Sequence, residues 1–107
     1  MPSLKEKVVI VTGGSRGIGK AIALRAARDG ANVAIASRSE ARLVHAAQQL
    51  NDIGRQNGTR CIYFAMDITD PKQVEGTVSN ILCEFPRIDI LINGAAGNFL
   101  CEIEELS

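Results

Sequence analysis

Tryptophan is absent from this 107-residue chain, histidine and tyrosine occur once each, and cysteine and proline three times each. Each shortage removes a class of function. His45 sits in a helical pattern with no second ligand nearby, so no metal site is expected. Cys61, Cys83 and Cys101 are odd in number and lack C-x-x-C spacing, which fits reduced thiols in or near a core. Charge of one sign is also missing: 12 Lys and Arg balance 12 Asp and Glu, and the two are interspersed. That excludes a nucleic-acid footprint. No apolar run exceeds the length of a strand, so no membrane span is present. The N-terminus, Met-Pro-Ser-Leu-Lys-Glu-Lys, has no signal-peptide apolar region. There is no internal repeat and no low-complexity linker. The length allows one small domain, with room for a core but little for separate cofactor and substrate sites.

What is present alternates regularly. Apolar runs at Lys7–Thr12, Asn32–Ala36, Cys61–Met66 and Ile88–Ile92 read as four strands. Between them lie helical patterns. The first starts at Ile18 and ends at Gly30. The second is capped by Ser39, carries the stripe Leu43, Ala46, Ala47, Leu50 and Ile53, and is broken from Gly54 to Gly58. The third starts at Asp70-Pro71, an N-cap followed by proline at the first helical position. Its buried face is expected to be Val74, Val78, Ile81 and Phe85, and Pro86 stops it. Cys101–Ser107 is expected to begin another helix. Helices alternating with strands predict an α/β fold, a Rossmann-type doubly wound parallel sheet running β-α-β-α-β-α-β with strand order 3-2-1-4. In that order the outer edge of the fourth strand has no partner and is expected to offer unpaired N–H and C=O groups.

The chain is organised around Val8–Gly19. A β-branched run ends in four glycines, and a helix pattern follows at once. Glycines at 13, 17 and 19 remove Cβ atoms that would hold a pyrophosphate off the backbone, and they let helix and strand pack closely. The helix start adds free N–H groups and a positive dipole end. Ser15, Arg16 and Ile18 lie in the same cradle. Gly14–Lys20 also reads as a P-loop, but Ala21 stands where a magnesium-binding Ser or Thr is needed, so nucleotide hydrolysis is excluded.

The end of the second strand selects the cofactor. An acidic residue there would bind ribose hydroxyls and repel a 2′-phosphate. Ser37-Arg38 stands there instead, with Arg16 within reach, and this predicts NADP(H); the other reading is two solvated surface charges. Asp67-Ile68 closes the third strand where an adenine ring would lie; Asp67 either accepts from its exocyclic amine or forms a local Asx bond. Asn93 to Gly97 flanks the nicotinamide side, with Asn93 able to tie neighbouring strands and Ala95 small enough for close approach.

The glycine pattern, Asp67 and Asp89-Ile-Leu-Ile-Asn93 resemble the N-terminal half of the short-chain dehydrogenase/reductase family. That family usually reads Asn-Asn-Ala-Gly after the fourth strand, where this chain has Asn93-Gly94-Ala95-Ala96. The departure, continuing as Gly97-Asn98-Phe99-Leu100, is similar to the branch that reduces 2,4-dienoyl-CoA thioesters. Ile35-Ala-Ser-Arg-Ser39 is similar too. The resemblance implies NADPH-dependent reduction of a fatty acyl-CoA diene to a 3-enoyl-CoA, in peroxisomes or otherwise in the cytoplasm, by a homo-oligomeric parent. It places Asn98 and Phe99 beside the acyl chain, although Phe99 reads equally as a packing aromatic. It also implies that the proton-donating residues come from later segments. The sole tyrosine, Tyr63, lies in a strand without a lysine four residues on, so no catalytic residue is assigned. Residues 1–107 are therefore expected to be the N-terminal part of a dinucleotide-binding domain, ending before the catalytic segment and inactive alone. Two other readings stay open: a short-chain reductase acting on 3-oxoacyl or alcohol and carbonyl substrates, and a non-catalytic nucleotide-binding module.

Overall fold

The computed structural model describes residues 4–13, 17–93 and 99–102. The central strand β1 (Val8–Thr12) is buried along its whole length. Its five residues are four branched aliphatics and a threonine, the composition of a parallel strand covered on both faces. It pairs in parallel with β2 (Asn32–Ser37) on one side and β4 (Ile90–Asn93) on the other, and β2 pairs in parallel with β3 (Cys61–Ala65). The order 3-2-1-4 expected for the parallel strands is therefore found.

The period of two divides β1 between two cores. Val9 and Val11 pack with Ala23, Ala26 and Ala27 of α1 (Gly17–Arg28) and with Leu43, Ala46, Ala47 and Leu50 of α2 (Glu40–Asn57). Val8 and Ile10 point the other way, toward Ile81 of α3 (Pro71–Glu84) and Phe85. One face thus carries two helices and the other carries one. The chain steps outward from β1 to β3 and then crosses back past β1 to β4, so a right-handed crossover puts α3 on the opposite face.

The helix ends follow the residues that mark them. Gly30, with φ 96°, turns the chain after α1. Ser39 caps α2, its side chain accepting from the Arg42 amide at 3.4 Å. Asp70 caps α3 by accepting from the Lys72 amide at 3.0 Å, with Pro71 at the first position. At the far end of α3, the Arg60 guanidinium lies 4.9 Å from the Phe85 ring centroid and donates to the Glu84 carboxylate and carbonyl at 2.9 and 3.0 Å. Asn51 brackets the start of edge strand β3, accepting from the Cys61 amide at 2.7 Å and donating to its carbonyl at 3.0 Å. Burial pushes the Cys61 thiol up to about 12, which makes it a packing group and not a nucleophile.

Four expectations need correction. α2 is not broken at Gly54 but continues to Asn57, because the left-handed turn falls at Gly58, φ 72°, whose amide donates to the Gly54 carbonyl. Val78 is not buried: it is 36% exposed, and Thr77 takes its place under the helix. The fourth strand begins at Ile90, two residues later than its apolar run. Lastly, Cys101 and Glu102 are not helical. Phe99–Glu102 forms β5, antiparallel to β4, with Asn93 opposite Phe99 and Ile90 opposite Glu102. The outer edge of β4 is therefore paired by its own chain. Residues 103–107 lie outside the described residues.

Two glycines inside helices predict opposite outcomes. A Cβ on Gly54 would meet the Thr59 carbonyl oxygen at 2.6 Å, whereas one on Gly76 would meet nothing within 4 Å. The ordinary gain from alanine in a helix is about 1 kcal/mol. Gly76→Ala is expected to show that gain in urea unfolding. Gly54→Ala is expected to lose roughly 1–3 kcal/mol, because overpacking against backbone outweighs propensity. A stabilised Gly54→Ala protein would mean that α2 does not pack on the 59–60 turn as described.

Candidate functional site

The parallel strands all deliver their carboxyl ends to one rim, and the site is built there. β1 ends at Thr12, buried, whose hydroxyl donates to Asn93 Oδ1 at 2.8 Å and lies 3.4 Å from the Ile92 carbonyl. The last residues of β1 and β4 are therefore tied by side chains as well as by the ladder. Thr12, which heads the glycine pattern Thr12-Gly13-x-x-x-Gly17-x-Gly19, supplies the partner for the strand tie expected of Asn93.

After Thr12 the chain turns at Gly13, φ 72°, whose amide donates to the Ala36 carbonyl at 2.6 Å. It re-enters described structure at Gly17, φ 59°, the first residue of α1. A Cβ on Gly17 would meet no atom of the described residues within 4 Å. The turn thus needs glycine for its backbone angle while no described residue fills the space before it, which suits a phosphate group seated at a helix start. Ile18 follows, 73% exposed on the first turn, and Gly19 is buried. Ser15 and Arg16 lie outside the described residues.

β2 ends at Ser37, half-buried, and its carbonyl accepts from the Met66 amide at 2.8 Å, which brings the end of β3 alongside. Arg38 is exposed and makes no hydrogen bond or ion pair among the described residues. By contrast, Arg25, Arg55, Arg60 and Arg87 each hold a carboxylate away from this rim. Asp67 takes the Asx geometry: Oδ1 accepts from the Thr69 amide at 2.9 Å and the Thr69 hydroxyl at 2.7 Å. Those two bonds, and the charge of Arg38, hold its carboxyl below the ordinary carboxylate range. Ile68, next along, is 37% exposed.

The rim therefore gathers Gly13, Gly17, Ile18, Gly19, Ser37, Arg38, Asp67, Ile68 and Asn93 at the ends of four strands and the start of α1. Ala95 and Asn98 lie outside the described residues, and Phe99 enters only as the backbone partner of Asn93. Beneath Thr12 and Asn93, on the α3 face, runs an apolar groove of about 610 Å³ lined by Ile10, Val78, Leu82 and Leu91 among others. No group of His, Cys, Asp and Glu that could hold a metal occurs among the described residues, and no described helix is long and apolar enough to cross a membrane.

Residues 7–107 match the short chain dehydrogenase family. The chain belongs to that family. The peroxisomal 2,4-dienoyl-CoA reductase [(3E)-enoyl-CoA-producing] of Pongo abelii is 46% identical over 104 residues, a match that covers 97% of this chain and 35% of that protein. A short chain dehydrogenase of Bacillus anthracis superposes with a TM-score of 0.79 at 42% identity, covering 98% of this chain and 41% of the other. L-sorbose reductase of Gluconobacter frateurii, solved with NADPH and L-sorbose, gives a TM-score of 0.76 at 35% identity, covering 83% and 33%. The chain spans about a third of the length of the curated relatives it matches.

Proposed function

We propose that residues 1–107 are the NADP(H)-binding part of an oxidoreductase that converts 2,4-dienoyl-CoA to 3-enoyl-CoA. The observation that carries the cofactor is the pairing of a glycine-dependent turn at Gly17 with an exposed Arg38, which makes no hydrogen bond or ion pair among the described residues, where an acid would select against a 2′-phosphate. Gly13, Ser15, Arg16, Gly17, Ile18 and Gly19 would hold the pyrophosphate, and Ser37 with Arg38 the 2′-phosphate. Asp67 and Ile68 would meet the adenine; Asn93 and Ala95 would meet the nicotinamide side. NADPH supplies a hydride when bound. The chain's own residues orient it: the Thr12 hydroxyl holds the Asn93 carboxamide between β1 and β4, so the wall on that side is fixed before any ligand arrives.

The substrate class is supported by 46% identity to a reductase of that name and by Ala95-Ala96-Gly97-Asn98-Phe99, the block that departs from the general family pattern. In this reading Asn98 and Phe99 border the acyl chain, the proton-donating groups come from segments after β4, and the compartment is the peroxisome. Reduction of a 3-oxoacyl or other carbonyl group to the alcohol, or the reverse oxidation, is the second reading, favoured by the likeness to L-sorbose reductase. The test is NADPH consumption by the protein expressed with its complete reading frame. Oxidation of NADPH is expected with 2,4-hexadienoyl-CoA and not with L-sorbose or a 3-oxoacyl-CoA. Turnover confined to the carbonyl substrates would replace the first reading with the second.

A further inference from the structure

Helix α3 opens with a capping box that has slipped upstream. In the usual box, a Glu or Gln three residues after the cap reaches back to the cap's own N–H. Gln73 occupies that position relative to Asp70. The Asp70 N–H, however, already donates to the Asp67 carbonyl at 3.0 Å. The Gln73 carboxamide therefore reaches one turn further: its Oε1 accepts from the Asp67 amide at 2.9 Å, while its Nε2 donates to Asp70 Oδ2 at 3.1 Å. With both Thr69 bonds falling on Asp67 Oδ1, residues 67–70 form a closed turn fastened to the first turn of α3 by the Gln73 side chain and by the Asp70 cap on Lys72. Ile68 stands half-exposed within it.

Resting on the dinucleotide reading above, we infer that Gln73 is a positioning residue for the base end of the cofactor. Its two bonds fix the turn so that Asp67, with Oδ1 committed to Thr69, presents its other carboxylate oxygen to the exocyclic amine of adenine. Gln73 does not touch the cofactor; it acts through the Asp67 amide and the Asp70 carboxylate. Because the side chain is solvent-exposed, its contribution is modest and best read as a ratio.

The deciding comparison is NADPH against its hypoxanthine analogue, in which a carbonyl oxygen replaces the amine and faces the carboxylate. Both are titrated by cofactor fluorescence against the protein expressed with its complete reading frame. The unmutated protein is expected to prefer NADPH by roughly ten- to a hundredfold, the worth of one charge-assisted bond. Asp67→Ala should abolish the preference. Gln73→Ala and the volume-matched Gln73→Met should each reduce the preference by about two- to tenfold. A purely structural Gln73 would lower the melting temperature without changing the ratio, and that result overturns the inference while leaving the dinucleotide reading intact. Equal affinity of the unmutated protein for both compounds would remove the adenine seat at Asp67, and the inference with it.

Discussion

Arg38→Asp is expected to weaken NADPH binding by roughly 30- to 1000-fold, the equivalent of about 2–4 kcal/mol. NADH binding should hold steady or tighten. The change removes an exposed guanidinium that makes no ion pair among the described residues and puts a carboxylate just after β2, where ribose hydroxyls would bind it and a phosphate would be repelled. Two charge terms therefore act in one direction on the phosphorylated cofactor and the ribose term acts in the other on NADH. The loss should be largest at low ionic strength, because the exposed pair is screened within a Debye length of about 10 Å at 0.1 M salt. A second readout comes from Asp67. Arg38 helps hold its carboxyl low, so reversing the charge should raise the Asp67 titration midpoint, which carboxyl-carbon NMR follows directly. Equal loss for both cofactors would show that the substitution damages the site generally. No loss for either would take the 2′-phosphate off this corner.

The parts of the fold that were legible in the sequence are those whose cause is local. Alternation of β-branched runs with helical stripes gave β1 to β4 and their order, because a buried parallel strand must be aliphatic and a crossover must be right-handed. Caps at Ser39 and Asp70 were legible for the same reason: the side chain and the amide it satisfies lie two or three residues apart. The failures lie where distant packing decides. Gly54 reads as a breaker, yet it is needed as a gap against Thr59, and the chain turns at Gly58. Val78 fits the helical stripe of α3, but that face of the sheet carries a single helix, so the outer part of the stripe borders an open groove. Residues 99–102 sit beyond the last parallel strand, and their antiparallel return onto β4 depends on an edge that only the assembled sheet provides.

The site divides in the same way. Glycines were legible because their backbone angles are demanded at one position each, and Gly13 and Gly17 do carry positive φ. The Asx turn at Asp67 was one of two readings of an aspartate at a strand end, and its bonds to Thr69 are now visible, although they leave the second carboxylate oxygen for a ligand. The strand tie was legible at its Asn93 end, but the part of Thr12 in it, and the part of Gln73, were not. Their roles depend on partners 81 and 6 residues away. No periodicity marks either one.

Gly17→Val is expected to abolish detectable NADPH binding, a loss of at least about a hundredfold, while the protein remains folded. Two separate costs arise. The first is strain: at φ 59° a β-branched residue lies in the left-handed region, at roughly 1–2 kcal/mol. For a domain of this size that lowers the melting temperature by about 4–8 °C per kcal/mol. The second is occlusion, since the isopropyl group would project into space where a Cβ would meet no atom of the described residues within 4 Å. The chain contains its own control for separating them. Gly58 has φ 72° and the same open surroundings, but it caps α2 at the end away from the rim. Gly58→Val should therefore show the strain without the loss of ligand. Thermal melts of the two variants are expected to fall together, and NADPH titrations are expected to part: near-normal affinity for Gly58→Val and none for Gly17→Val. If Gly17→Val binds as tightly as the unmutated protein, the cradle lies elsewhere on the rim. If both variants lose binding equally, general destabilisation, and not occlusion of the phosphate seat, accounts for the effect.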